Sequence, residues 1–298
     1  APAIAMGIKL RADHGVTDPL NIIICENLLH ASDYLRGFIL ESLPAEYEGY
    51  VREHVGFVES VVSRMVPVMT DEQRQQDPLM VVVEAYKKLP VAGKGFIGPI
   101  PEIVGFEPHD NFEAYVERKL FTHNCGHAIA AYLGYQRKYE YVWESMGDPG
   151  VRRIIEKALA ETGEALINRH GFTPEEHQAH IDDLLSRFSN KALGDTVARV
   201  GRDPIRKLGH DDRLIGSGNL AMSYGITPTN VCLGTAAALA FDNPEDPAAV
   251  ELQLLIHNQG INRVFQTICG ISPSSPLAGM IREQMEVVKS GDWYEVAG

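Results

Sequence analysis

The segment Lys119-Leu-Phe-Thr-His-Asn124-Cys-Gly-His127 puts an amine, an amide and an imidazole close together in the chain. On an α-helix, at about 100° per residue, Asn124 falls about 140° and His127 about 80° from Lys119, so the three share one arc. A lysine beside an apolar wall loses ammonium solvation, its proton affinity falls, and it can serve as a general base near neutrality. An asparagine amide can donate to a developing alkoxide or carbonyl oxygen, and a histidine can orient a hydroxyl. The same three residues also fit a surface lysine, a capping asparagine and a core histidine. His123 falls about 40° from Lys119, inside the arc. Cys125 points elsewhere and reads as packing.

A second candidate is Asn27, which with Glu26 follows the apolar run Leu20-Asn-Ile-Ile-Ile-Cys25. Polar residues just beyond the carboxyl end of a parallel strand sit where α/β sheets bind ligands, although Glu26-Asn27 would equally cap a following helix. A third candidate is the basic cluster Arg199, Arg202, Arg206 and Lys207, with Asp203 the one acid inside it. Arginine suits phosphate or carboxylate through bidentate hydrogen bonds. The competing reading is a solvated helix end that pairs with Asp195, Asp211 and Asp212. His177 and His180 are three apart, but no further ligand completes a metal site, so they read as a solvated face and no metal is expected. His210 and His257 read the same way. Gly93-Lys-Gly-Phe-Ile-Gly98 spells GxGxxG, yet Pro99-Ile-Pro101 follows where a phosphate-binding helix would have to begin, so it reads as a surface loop.

These residues need elements to hold them. Pro2 to Asp13 has helical spacing ended by His14-Gly15. Leu20–Cys25 reads as a strand buried on both faces, followed by a helix from about Leu28 to Leu43. Val55-Gly-Phe-Val58 reads as a second strand and Met80-Val-Val-Val83 as a third, giving α/β with parallel pairing. After the Gly/Pro-rich stretch Pro90–Pro101 the pattern turns helical. Helices are expected over 113–133, 151–169, 193–200, 231–240, 248–258 and 262–269, and Thr173-Pro-Glu-Glu176 opens another.

Composition bounds the partners. The 298 residues carry 40 acidic and 27 basic side chains, a net charge of −13, which argues against a nucleic-acid surface but not against one local anion pocket. No apolar run approaches the length of a helical membrane span. Four dispersed cysteines, Cys25, Cys125, Cys232 and Cys269, read as reduced thiols of a cytoplasmic protein.

Taken together, Leu20–Asn27, Val55–Ser60 with Arg64–Pro67, Glu117–His127, Val200–Leu208, Asp212–Ile215 and Tyr224-Gly-Ile resemble the polyol-specific long-chain dehydrogenases, in order along most of the chain. The resemblance implies a partial Rossmann-like α/β domain over residues 1–108, followed by an all-α substrate domain over residues 109–298. It implies metal-independent, NAD-linked interconversion of a sugar-alcohol phosphate and a ketose phosphate. Lys119 would be the general base, Asn27 and Asn124 would stabilise the reacting oxygen, and His127 would orient substrate. Arg199 and Lys207 would contact substrate, Arg202 and Arg206 would help hold its phosphate, and Glu26 and Asn27 would meet the NAD cofactor. Two other readings remain open: a hexuronate reductase of the same family, and a non-catalytic sugar-phosphate-binding protein.

The chain departs from the family pattern in two places. Ser63 stands where the family carries an aspartate. The chain also opens inside a helix, without the Gly-rich turn that cradles the cofactor pyrophosphate, so weak NAD binding is expected of it.

Overall fold

The computed structural model describes every residue except 27, 29, 68, 292, 297 and 298. The chain divides into two compact units, residues 1–65 with 83–116 and residues 66–82 with 117–298.

In the first unit, α1 (Pro2–Asp13) has the predicted bounds and buries Ala5 and Ile8. β1 (Leu20–Ile24), α2 (Ala31–Glu41), α3 (Glu48–His54) and β2 (Val55–Glu59) follow. The two strands pair in parallel, Leu20 opposite Val55 and Ile24 opposite Glu59, with α2 and α3 making the crossover that parallel pairing demands. Ile8, Ile39, Val51, Val55 and Phe57 form the core between helices and sheet. β1 is half-buried from Leu20 to Ile23, not covered on both faces as its composition suggests, because β2 is its only ladder partner among the described residues.

The expected strand at Met80–Val83 is absent. These residues have no ladder partner among those described, and Leu79 and Val81 are exposed; an apolar run becomes a strand only where another strand can receive its hydrogen bonds. The regular element nearby is α4 (Asp71–Gln76), opened by a reciprocal capping box between Thr70 and Gln73. A second parallel pair instead forms in the Gly/Pro-rich region, β3 (Leu89–Ala92) with β4 (Phe106–His109). Pro90 lacks a donor, but its carbonyl accepts from the Val61 N–H at 2.9 Å.

β3 runs straight into Gly93, yet no helix begins at Gly98, so GxGxxG builds no phosphate cradle. The loop is exposed at Lys94 and Gly98, as a surface loop, and its inner side packs against β2 through Gly95. A Cβ on Gly95 would lie 2.6 Å from the Phe57 carbonyl oxygen. Asn21 clamps the same loop, its Nδ2 donating to the Ile97 carbonyl at 3.1 Å and its Oδ1 accepting the Ile97 N–H at 2.9 Å.

The second unit is helical. α5 (Phe112–Arg118) begins in the first unit and leads into a π-helical turn over Lys119–Asn124 and then α6 (Cys125–Gln136). Next come α7 (Val142–Gly147), α8 (Pro149–His170), α9 (Pro174–Phe188), α10 (Val197–Gly201), α11 (Pro204–Lys207) and α12 (Ile215–Ser223). The chain continues through α13 (Thr229–Leu239), α14 (Pro247–Gln259), α15 (Ile261–Thr267), α16 (Pro276–Ser290) and α17 (Trp293–Val296). α6 is the central helix: Ala128 through Leu133 are buried, and it packs against α7, α8, α10 and α13. Small residues set these distances. A Cβ on Gly234 would lie 2.5 Å from Ile129 Cγ1, and one on Gly134 would lie 2.1 Å from Ser145 Oγ.

Side chains close the helix ends. The Asp148 carboxylate accepts from the Gly150 and Val151 N–H groups to start α8, and Thr173 accepts from Glu176 to start α9. Glu161 on α8 accepts from the Asn230 and Val231 N–H groups at 2.9 and 3.0 Å, which ties α13 to it. His177 is a core residue rather than part of a solvated face: it is buried, with Phe172 nearby and its ring where a side chain on Gly163 would otherwise reach.

Candidate active site

The expected helix over 113–133 is not α-helical throughout. The Cys125 N–H bonds back five residues to the Leu120 carbonyl, which widens the Lys119–Asn124 turn. Such π turns recur at functional sites because they re-aim side chains within an otherwise regular helix. The turn is anchored by Phe121, which packs with Ala165, Leu166 and Leu220, and by Gly216, where a Cβ would come within 2.8 Å of the Phe121 ring. Its entry is tied by Glu117, whose carboxylate pairs with Arg169 at 3.2 Å and is hydrogen-bonded to His170 Nε2 at 2.7 Å, and by an Arg118–Glu176 ion pair at 3.1 Å.

Lys119 is half-buried at the start of this turn. Burial, reinforced by the charge of Arg213, lowers its pKa from 10.5 to about 8. Asn124 stands at the amino end of α6 but makes no capping bond with its side chain, which lines a cleft. The cleft has a volume of about 220 Å³ and is lined also by His127, Arg199, Arg202, Arg206, Lys207 and Arg213. The Asn124, His127 and basic-cluster candidates therefore share one concavity.

His127 stacks on Phe188 with ring centroids 4.9 Å apart, and its Nε2 lies 3.1 Å from Asp195 Oδ2 without hydrogen-bond alignment. Burial, then the cations Arg199, Arg213, Lys207 and Arg187, push its pKa down to about 3, so the ring is neutral at pH 7. Lys207 is buried, donates to the Arg202 carbonyl, and is lowered to about 8 by burial and then by Arg213 and Arg206. Arg199 pairs with Asp195; Arg206 pairs with Asp203 at 3.0 Å and lies 3.9 Å from Asp212. Pairing with aspartates and convergence on one cleft therefore coexist.

The loop between α10 and α11 holds this cluster. Asp203 takes a left-handed conformation, φ 60°, that a non-glycine residue adopts at a cost. The buried Asp246 carboxylate accepts the Asp203 N–H at 2.8 Å, and Asp203 in turn accepts the Arg206 N–H. Tyr132 on α6 donates to the Gly201 carbonyl at 2.8 Å, fixing the end of α10.

Sequence models of the mannitol dehydrogenase Rossmann domain and C-terminal domain match residues 1–105 and 111–268, respectively. The chain belongs to the mannitol dehydrogenase family. This family member is 41% identical to the mannitol-1-phosphate 5-dehydrogenase of Bacillus velezensis over 285 residues, 96% of this chain and 74% of the relative. Among solved structures it superposes on Pseudomonas fluorescens mannitol 2-dehydrogenase, a ternary complex with NAD and D-mannitol, with TM-score 0.75 and 22% identity over 99% of this chain and 64% of that one. A D-sorbitol dehydrogenase in substrate-free form gives TM-score 0.77 and 18% identity over 99% of this chain and 66% of that one. The family member thus spans just under two thirds of the solved chains it matches, and these likenesses establish its fold: a Rossmann-like unit with parallel strands, then a helical unit.

At the carboxyl ends of β1 and β2, Ser60 donates to the Ile24 carbonyl at 2.8 Å, and Glu26 is exposed just beyond. Asn27 lies outside the described residues. Open α/β sheets bind ligands beyond the carboxyl ends of adjacent parallel strands, the edge at which Glu26 stands. A further cleft of about 300 Å³ lies at the amino end of β2, lined by Arg36, Arg52, Gly56 and Lys94 among others, which is the opposite end of the strand.

Among the described residues no group of three His, Cys, Asp or Glu side chains could hold a metal ion, and no helix is long and apolar enough to cross a membrane. Asp195, Asp203, Asp212, Arg213 and Asp246 brace the cleft; the sequence offered Asp195 and Asp212 as partners of the basic cluster but assigned Arg213 and Asp246 no role. The Asp212-Arg213 pair, close after Lys207 in the chain, was the available signal.

Proposed function

We propose that the chain carries out NAD-dependent, reversible oxidation of D-mannitol 1-phosphate to fructose 6-phosphate. The observation that carries this reading is the charge of the cleft lined by Asn124, His127 and the basic cluster; Lys119 is not among its lining residues but feels the charge of Arg213, which is. The cleft's five lining cations face three paired carboxylates, Asp195, Asp203 and Asp212, an excess that suits a phosphate monoester of charge near −2. A hexuronate carboxylate would satisfy half of it. The 41% identity to a mannitol-1-phosphate 5-dehydrogenase supports the same substrate.

Neutral Lys119 takes the proton from the hydroxyl being oxidised, and its pKa of about 8 leaves a useful neutral fraction near pH 7 to 8. The Asn124 amide donates to the oxygen as its charge develops. Neutral His127 orients the neighbouring hydroxyl. Arg199 and Lys207 hold the polyol, and Arg202 and Arg206 hold its phosphate. NAD would supply the hydride acceptor, and Glu26, exposed beyond the strand ends, would help hold it. The free thiols fit a reducing cytoplasm.

The test compares NADH oxidation with fructose 6-phosphate, fructose and fructuronate. The reading expects kcat/KM to favour fructose 6-phosphate by about 100-fold, the cost of two lost charge contacts at roughly 1.4 kcal/mol each. Preference for fructuronate would replace the phosphate reading with a carboxylate one.

A further inference from the structure

The cleft cations are not equivalent. The side chains of Arg199 and Arg206 are 42% and 56% exposed, whereas that of Arg213 is 14% exposed. Attraction between opposite charges strengthens as water is excluded, so an anion gains most from the shielded guanidinium. The backbone N–H and Nε of Arg213 both donate to Asp212 Oδ1, at 2.6 and 2.7 Å, which fixes the residue and one edge of its guanidinium. The Nη pair is the edge left for two oxygens of one ligand.

We infer that Arg213 is a substrate-binding residue: its guanidinium is the shielded contact for the phosphate of the sugar phosphate, with Lys207 beside it on the cleft wall. The assignment rests on the sugar-phosphate reading of the cleft. Its charge acts through space on Lys119, Lys207 and His127 and lowers the proton affinity of all three, and it lines the same cleft as Lys207 and His127. Asp195, Asp203 and Asp212 offset three of the five cations, and repulsion persists in the positive charge left over where water is scarce. Phosphate bound to Arg213 relieves that repulsion, so substrate binding and the stability of the cluster are coupled.

The experiment is a calorimetric titration of the purified chain with inorganic phosphate, comparing wild type, Arg213→Gln and Arg213→Lys, with thermal melts to confirm folding. Wild type is expected to bind phosphate and Arg213→Gln to bind about tenfold more weakly or worse, with Arg213→Lys between them because it keeps the charge and loses the fork. In turnover, Arg213→Gln should raise the KM for fructose 6-phosphate by a similar factor. Undiminished phosphate binding by folded Arg213→Gln overturns the assignment, as does a wild type that binds no phosphate. If Arg213→Gln does not fold, Arg213→Lys decides alone: binding equal to wild type overturns the bidentate contact, and a severalfold loss supports it. Arg213-dependent phosphate binding without fructose 6-phosphate turnover overturns the proposed reaction and leaves Arg213 as an anion-binding residue.

Discussion

Nε2 of His127 lies 3.1 Å from Oδ2 of Asp195, while the other oxygen of that carboxylate pairs with Arg199. One buried aspartate thus spaces an imidazole and a guanidinium on the wall of the same cleft. A carboxylate ordinarily raises a neighbouring imidazole's pKa, but here burial and four cations outweigh it. Asp195→Asn keeps the shape and removes the charge, so Arg199 loses its anchor. We expect KM for fructose 6-phosphate to rise by roughly tenfold and kcat to change by less than about threefold. Unchanged kinetics would show that Asp195 does not position the cleft.

Lys119 must be neutral to accept a proton. With its pKa lowered to about 8, polyol oxidation rises about tenfold per pH unit below that value and levels above it. In the reverse direction the protonated amine is the acid, so ketose reduction falls as pH rises through the same range. Lys119→Ala should lower kcat by about 10²- to 10⁴-fold and abolish this inflection. Initial rates in both directions between pH 6 and 10 check the sign.

Asp246 both caps α14 and holds the strained Asp203 backbone. Asp246→Ala should cost about 1–2 kcal/mol of stability, from the lost cap and the freed loop. It should also raise KM, because Asp203 positions Arg206. Urea unfolding with parallel kinetics separates the two effects; a stability loss with KM unchanged would detach the loop from substrate binding.

Acid should destabilise the helical unit through His177. Burial lowers its pKa from 6.5 to about 4, so between these values the unfolded chain binds the extra proton and stability falls as pH falls. The loss from this residue approaches about 3 kcal/mol once pH passes below 4. His177→Leu should flatten the melting temperature between pH 6.5 and 4. An equally steep profile in the variant would assign the acid sensitivity to other groups.

The amino-acid sequence by itself determined the elements whose signals are local. Pro2, His14 and Gly15 bound α1, and Thr173-Pro174 opens α9, because caps and prolines act within one turn. The parallel pairing of Leu20–Ile24 with Val55–Glu59 was legible in two apolar runs separated by a crossover. Lys119, Asn124, His127 and the Arg199–Lys207 cluster stand out in the sequence as candidates by residue type and spacing, and Asn124, His127 and the cluster share one cleft.

Only the tertiary structure decided what depends on partners distant in sequence. Met80–Val83 has the composition of a strand but no edge to join, while Leu89–Ala92 has a proline and pairs with Phe106–His109. The π turn arises where Phe121 is held by residues of α8 and α12, and helical periodicity does not encode that constraint. His177 is core because α8 presents Gly163 to it. The low proton affinity of Lys119 comes from burial and from Arg213, which the sequence places far along the chain and the fold brings close. Desolvation and like-charge repulsion act through space, so they exist only once the chain has folded.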